Sequence, residues 1–272
     1  MRKIIPILIS IAIFFSVGIT YAGTDGTQSA DMDNQSVVDI MLSMSDSASM
    51  SPTGDITIMA WVFMDDATPP DGQYCILCKW ADSGTEKSYR FAFDPDDENF
   101  NWQVRNAAGG QEELTGIDYT LNLDTWVHFT LTFDASASKI EVYVNGASIG
   151  TETGAITDIK DSTAEAFIGG YRAEPNLHYG WSGRLDNVRF YSRQLLVGEI
   201  SSDFCLDAPS DTTSLEGSWF FEGDATAALL DETANNNDLV NENSVTFVAS
   251  VFDDDTCFAS VDGKDGFWFP PF

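Results

Sequence analysis

Basic residues are scarce in this chain: 13 lysines and arginines stand against 43 acids in 272 residues, for a formal net charge of −30. A field this negative repels phosphates and anionic membrane surfaces, which excludes ordinary nucleic-acid binding, and it favours solubility and divalent cations. Histidine is down to two, His128 and His178, and neither neighbours a nucleophile motif such as Gly-x-Ser-x-Gly. Triad chemistry therefore has no foothold, and two histidines lack the spacing of a zinc site. Helical periodicity is almost missing too. From Asp55 onward apolar residues recur at every second position, and only Gln194 to Phe204 reads as helical.

Long apolar runs are absent except at the start. Arg2 and Lys3 precede an apolar stretch from Ile4 to Ile19, and Thr20-Tyr21-Ala22 ends it before Gly23. The run is shorter than the roughly 20 residues a membrane span needs, and Ala22 is small enough for cleavage, so residues 1–22 read as a secretory signal peptide. Its removal takes away two basic residues and no acid, moving the net charge from −30 to −32. No cysteine follows the run, so no lipid anchor is expected. A secreted, extracellular protein without membrane insertion after cleavage is the expectation.

Four cysteines in such a chain allow three pairings. Cys205 and Cys257, both in the C-terminal part near segment ends, are the expected structural disulfide, tethering the tail. Cys75-Ile76-Leu77-Cys78 has CxxC spacing but sits in an apolar strand-like run, where residues three apart point to opposite faces. It lacks the helix N-terminus of a redox motif, so buried thiols or pairing with the tail cysteines are expected there.

The period-two runs have definable faces. Both alternating sets of Asp55 to Met64 are largely apolar, as in a central strand covered on both sides. Asn99 to Arg105 puts Phe100, Trp102 and Val104 on one face, and Trp126 to Phe133 puts Val127, Phe129, Leu131 and Phe133 together. Lys139 to Val144 runs into Asn145-Gly146, a pair that tolerates the positive φ of a tight type I′ hairpin turn. Many short antiparallel strands without helical crossovers predict an all-β, two-sheet antiparallel jelly-roll sandwich.

Several of these segments carry a resemblance. Ile58-Met59-Ala60-Trp61-Val62, Ile76-Leu77-Cys78-Lys79-Trp80, Trp126 through Asp134, Ile140 through Gly146 and Trp181-Ser182-Gly183-Arg184-Leu185-Asp186-Asn187-Val188-Arg189-Phe190-Tyr191 follow one another as in laminin-G-like modules of the concanavalin A-like lectin superfamily. The similarity runs from about Ser29 to Ser201. It departs in the middle strand, where Trp126-Val127 precede His128 and leave it alone. The chain divides accordingly into residues 1–22, a concanavalin A-like sandwich at 28–203 and an extension at 204–272. Leu215 to Leu239 resembles the segment that normally precedes the family's first strand, here at the wrong end. An unfinished second sandwich would expose a long apolar edge, so the C-terminal strands are expected to fold back onto the first.

The superfamily includes glucanases, but their strand pattern of paired carboxylates is absent, and the strand acids Glu141, Glu165 and Asp186 stand isolated. Retaining hydrolysis needs two carboxyls roughly 5 Å apart, so no enzyme is expected. The resemblance implies calcium near the loop ends, with Asp33 and Asp186 as ligands. Alternatively, Asp186 accepts backbone amide hydrogen bonds that pin the loop bearing Asp31, Asp33 and Asn34. Sugar recognition needs aromatic faces and planar polar groups, and the loop from Tyr171 to Trp181 has both. Tyr171, Arg172, His178, Tyr179 and Trp181 are the expected ligand-binding residues, with Trp80 and Trp102 as further aromatics. The expected function is a non-catalytic module that binds a glycan or glycoprotein, with a structural, adhesive protein–protein module as the alternative.

Overall fold

The computed structural model describes residues 28–32, 40–66, 73–81, 84–120, 122–173, 176–178, 180–204, 206, 208–242 and 244–249. The Cys205–Cys257 pair lies outside them, as do the signal segment and Asp33.

The strands are, in order, β1 (Gln28–Met32), β2 (Met41–Met44), β3 (Ile56–Met64), β4 (Tyr74–Trp80), β5 (Lys87–Asp94) and β6 (Asn99–Arg105). Then come β7 (Gln111–Asp118), β8 (Trp126–Asp134), β9 (Lys139–Val144), β10 (Ala147–Thr153), β11 (Ala166–Ile168), β12 (Tyr171–Ala173) and β13 (Asn176–His178). The long β14 (Gly183–Tyr191) leads into helix α1 (Val197–Asp203), and the tail adds β15 (Leu215–Trp219), β16 (Val240–Glu242) and β17 (Thr246–Ala249). They form two antiparallel sheets. Sheet A runs β10-β9-β8-β3-β14-β1-β17, with β15 also paired to β14, and sheet B runs β16-β2-β11-β4-β5-β6-β7. The all-β sandwich expected from the alternation is the fold, and β3 is a central strand.

The alternation places the core between the sheets. Ile58, Ala60 and Val62 of β3 and Val127, Phe129, Leu131 and Phe133 of β8 face Tyr89, Phe91 and Phe93 of β5 and Phe100, Trp102 and Val104 of β6. Aromatic rings bridge the layers edge to face or tilted, with Phe100 to Phe129 at 4.8 Å and Trp102 to Phe133 at 5.4 Å. Trp102 is thus a core residue. The β9–β10 turn has φ of 48° at Asn145 and 76° at Gly146, as the Asn-Gly pair predicts.

The tail is woven into the sandwich. β15 pairs with β14 from Val188 to Tyr191, β16 with β2, and β17 with β1. β1 and β15 share one edge of β14, β1 meeting Gly183 to Leu185 and β15 meeting Val188 to Tyr191. Trp219 of β15 is completely buried, and its indole N–H donates to the Asn237 carbonyl at 3.0 Å. Asp231 orders the intervening turn by accepting the backbone N–H groups of Ser218, Thr233 and Asn237.

Helix α1 covers the outer face of sheet A. Ile200 packs with Met59, Tyr143, Tyr191, Leu195 and Leu215, and Glu199 both accepts the Leu196 N–H and takes a two-pronged contact from Arg193. Beside it His128 is wedged edge-on against Trp61 at 5.2 Å and against Phe204 at 5.8 Å. Among the described residues no helix is long and apolar enough to cross a membrane.

One expectation about β4 is corrected. Cys75 and Cys78 form a disulfide with each other, their Cα atoms 6.5 Å apart. A bulge between Cys75 and Leu77 sends both Ile76 and Leu77 into the core, so the parity of the strand shifts and both cysteines reach the outer face.

Candidate functional site

The outer face of sheet B carries an apolar nest and a polar strip side by side. The nest holds Met41, Cys75, Cys78, Trp80, Phe167 and Tyr171, all buried. Tyr171 opens the β12–β13 hairpin, whose register pairs Tyr171 with His178 and Arg172 with Leu177. The polar strip starts at Arg90, which alternation on β5 turns away from the core between Tyr89 and Phe91.

Arg90 is 3% exposed and fixes its neighbours. Its Nη1 donates to the Tyr171 hydroxyl at 3.1 Å, and the guanidinium lies 5.3 Å from the centre of that ring. Its Nη2 donates to Gln73 Oε1 at 2.5 Å and to Asn101 Oδ1 at 3.2 Å. Asn101, with its oxygen so held, points its amide at Glu113, and Gln73 in turn donates to Asp94 at 3.2 Å. A buried cation thereby sets the orientation of two carboxamides and, through one of them, of an exposed carboxylate. Gln103 sits directly across from Glu113 in the β6–β7 register, half-buried and on the same outer face. The result is a row of planar forks, Gln73, Asn101, Gln103 and Glu113, running from β4 to the sheet edge. Planar amides and carboxylates on a fixed scaffold suit pairs of adjacent hydroxyls.

The loop residues expected to stack on sugar are placed differently. Trp181 is completely buried, donates its indole N–H to the Phe63 carbonyl at 3.2 Å and sits 5.1 Å from the Tyr74 ring. Tyr171 is 2% exposed with its ring against Arg90. Neither offers a face to solvent; the segment looks loop-like in sequence, yet both rings anchor it to the sandwich. Arg172 and His178 have their backbones in the hairpin, and their side chains, like all of Tyr179, lie outside the described residues. Trp80 is 2% exposed, with Lys87 Nζ 5.1 Å from its ring centre.

Burial dominates the electrostatics elsewhere. The Tyr74 hydroxyl is pushed well above its ordinary pKa by desolvation and by Asp66 and Asp65. His128 is pulled down to about 3 by burial and by the nearby Arg189 charge, so its ring is neutral at ordinary pH. It is a packing residue in the cover of sheet A.

Asp186 lies on β14, in register with Trp61 of β3. It is 5% exposed, and its Oδ1 accepts the Asn187 N–H at 2.7 Å. β1 runs antiparallel to β14 and ends with Met32 beside Gly183, three residues before Asp186, roughly 10 Å away at strand rise. Among the described residues no three His, Cys, Asp or Glu side chains cluster to hold a metal. Asp33, the other expected calcium ligand, and Asn34 beside it lie outside the described residues.

The sequence reading missed two things: the Arg90 strip and an outer row on sheet A. In that row Trp126, Phe63, Arg184 and Asp31 stand in register across β8, β3, β14 and β1. The outward parity of Arg90, between core-facing Tyr89 and Phe91, was the available signal for the first.

Comparison with known proteins agrees with this architecture. The family model described as the concanavalin A-like lectin/glucanases superfamily matches residues 38–201, and the chain belongs to that family. The fold is similar to that of a candidate carbohydrate-binding protein from Bacteroides ovatus ATCC 8483, at a TM-score of 0.62 and 15% identity, covering 84% of this chain and 61% of that one. It is also similar to the native heptameric SAP-like pentraxin from Limulus polyphemus, at a TM-score of 0.56 and 13% identity, covering 84% of this chain and 96% of that one. At these identities the likeness is one of fold. A search of curated proteins by sequence finds no match.

Proposed function

We propose that this chain is a secreted, non-catalytic carbohydrate-recognition module that binds neutral, hydroxyl-rich glycans along the outer face of sheet B. The observation that carries the reading is the row of forks oriented by buried Arg90, with Gln103 and Glu113 at its accessible end. Fold similarity to a candidate carbohydrate-binding protein supports it. Neutral ligands follow from charge: with 43 acids against 13 bases and Glu113 itself in the row, an anionic glycan meets repulsion.

The test is an array of neutral and acidic glycans probed with the purified protein, with and without a chelator, alongside a Gln103→Ala/Glu113→Ala double variant. Binding to neutral glycans that the double variant weakens is the expected result. Binding unaffected by the double variant would sink the assignment to this face, and loss in chelator would show that calcium takes part.

A further inference from the structure

Sheet A carries a second row of chemistry that the sheet B reading leaves unused. Register aligns Trp126 with Phe63, Phe63 with Arg184 and Arg184 with Asp31, so four side chains from four strands line up across the outer face near one end of the sandwich. All four are half-buried. They belong to the outward set of their strands: the neighbours Val127, Val62, Leu185 and Ala30 all lie in the core. Further along the same strands this face is covered by α1 and Phe204, which pack on Trp61, His128 and Met59.

The contacts within the row are specific. The Trp126 and Phe63 rings lie 5.5 Å apart at 55°, and the Arg184 guanidinium lies 5.1 Å from the centre of the Phe63 ring. No hydrogen bond or ion pair among the described residues engages Arg184, so its five N–H donors are held in place by a ring and left for another partner. At a strand spacing near 4.8 Å, the row from Trp126 to Arg184 spans roughly 10 Å. The backbone beneath is rigid: Gly183 has φ of 117°, and a Cβ there would collide with the Phe63 carbonyl, so β14 lies close against β3 at this point.

We infer that this row is a second carbohydrate subsite, independent of the one on sheet B, which takes a neutral saccharide. The apolar face of a pyranose rests on Trp126 and Phe63, while Arg184 and Asp31 meet its hydroxyls. Neutrality follows from the pairing. A lone arginine beside an aromatic ring would select a carboxylated sugar, but here Asp31 stands next to Arg184 on β1 and Asp186 lies two residues along β14 on the same face. Donor and acceptor side by side match a vicinal diol, in which each hydroxyl both gives and receives. Two subsites on opposite outer faces make the module bivalent, able to bridge glycan chains.

Isothermal titration with cellohexaose, mannohexaose and chitohexaose, with oligogalacturonate as the anionic control, tests this on the full chain. Wild-type protein is expected to bind two saccharides per chain. Arg184→Ala, at a half-buried position, should reduce this to one, and Asp31→Asn should weaken that site by about tenfold, near the loss of one charge-assisted hydrogen bond. Saccharide should also change the emission of Trp126, and Trp126→Phe should abolish that change while keeping an aromatic surface. The Gln103→Ala/Glu113→Ala variant should retain the sheet A site. If Arg184→Ala and Asp31→Asn leave stoichiometry and affinity intact, the inference fails while the sheet B reading stands. If saccharide binding disappears only with Arg184→Ala, the sheet B reading fails and this one stands. Preference for oligogalacturonate would overturn the neutral ligand, and no binding of any probe would overturn both.

Discussion

Arg90 and Tyr171 hold one another twice, through an Nη1-to-hydroxyl hydrogen bond of 3.1 Å and through a guanidinium lying 5.3 Å from the ring centre. The pair ties a short hairpin to the outer face of a sheet, and the two contacts can be separated. Tyr171→Phe removes only the acceptor and, because the donor is a buried cation, is expected to cost about 1.5–3 kcal/mol. Arg90→Met also strips the donors from Gln73 and Asn101, each such loss worth roughly 1–3 kcal/mol, so it should cost clearly more and should weaken glycan binding through Glu113. Urea unfolding of both variants measures the difference. Equal costs would mean that Arg90 does not organise the strip.

The buried imidazole of His128 makes stability depend on pH. Its folded-state pKa is depressed to about 3 by burial and the Arg189 charge, whereas an unfolded histidine titrates near 6.5. Below 6.5 the unfolded chain takes up a proton that the folded chain refuses until about 3, so stability is full above 6.5 and falls as the pH drops. The slope from this one group approaches 1.4 kcal/mol per pH unit. Between pH 6.5 and 5 few carboxylates titrate, which makes that window diagnostic. Chemical unfolding there should show the slope in wild type and a flatter profile in His128→Phe, which keeps an aromatic ring against Trp61. An unchanged profile would refute the assignment.

The tail is structural rather than appended. Trp219 is completely buried in the core, and its indole holds the Asn237 carbonyl. Trp219→Ala should cost about 3–5 kcal/mol, in the range of large aromatic truncations in a core. Leu230, 44% exposed, is the internal control, and Leu230→Ala should stay within about 0.5 kcal/mol. A Trp219→Ala cost below about 1 kcal/mol would show that the tail does not complete the sandwich.

Much of this architecture was legible because it rests on period two. The core faces of β6 and β8, the central place of β3, the Asn145-Gly146 turn and the returning tail follow from alternation, turn chemistry and the cost of an open edge. The candidate sites were not, for reasons of geometry. A row such as Trp126, Phe63, Arg184 and Asp31 exists only through the register of four strands distant in sequence, which no local pattern encodes. The segment from Tyr171 to Trp181 looked exposed because Arg172, Glu174, Asn176 and His178 recur through it at every second position, yet Tyr171 and Trp181 are the points where it is fastened. The bulge in β4 was silent because Ile76 and Leu77 are both apolar, so a shift of parity between them leaves no trace in the hydrophobic pattern.

That bulge makes a chemical prediction. With Ile76 and Leu77 both committed to the core, Cys75 and Cys78 are brought to one face and bonded within an apolar nest beneath Tyr171. Proteolysis without reduction, followed by mass spectrometry, should yield a peptide holding both cysteines that is two hydrogens lighter than its reduced form and resists alkylation. Because the closed loop is so short, chain entropy assigns the bond only about 2 kcal/mol, less than bridges over long loops give. The Cys75→Ala/Cys78→Ala variant should therefore remain folded, with a modestly lowered Tm, because the bulge is set by its core residues and not by the sulfur bridge. Unfolding of that variant, or a cross-linked peptide joining either residue to Cys205 or Cys257, would show that the strand does not bulge here.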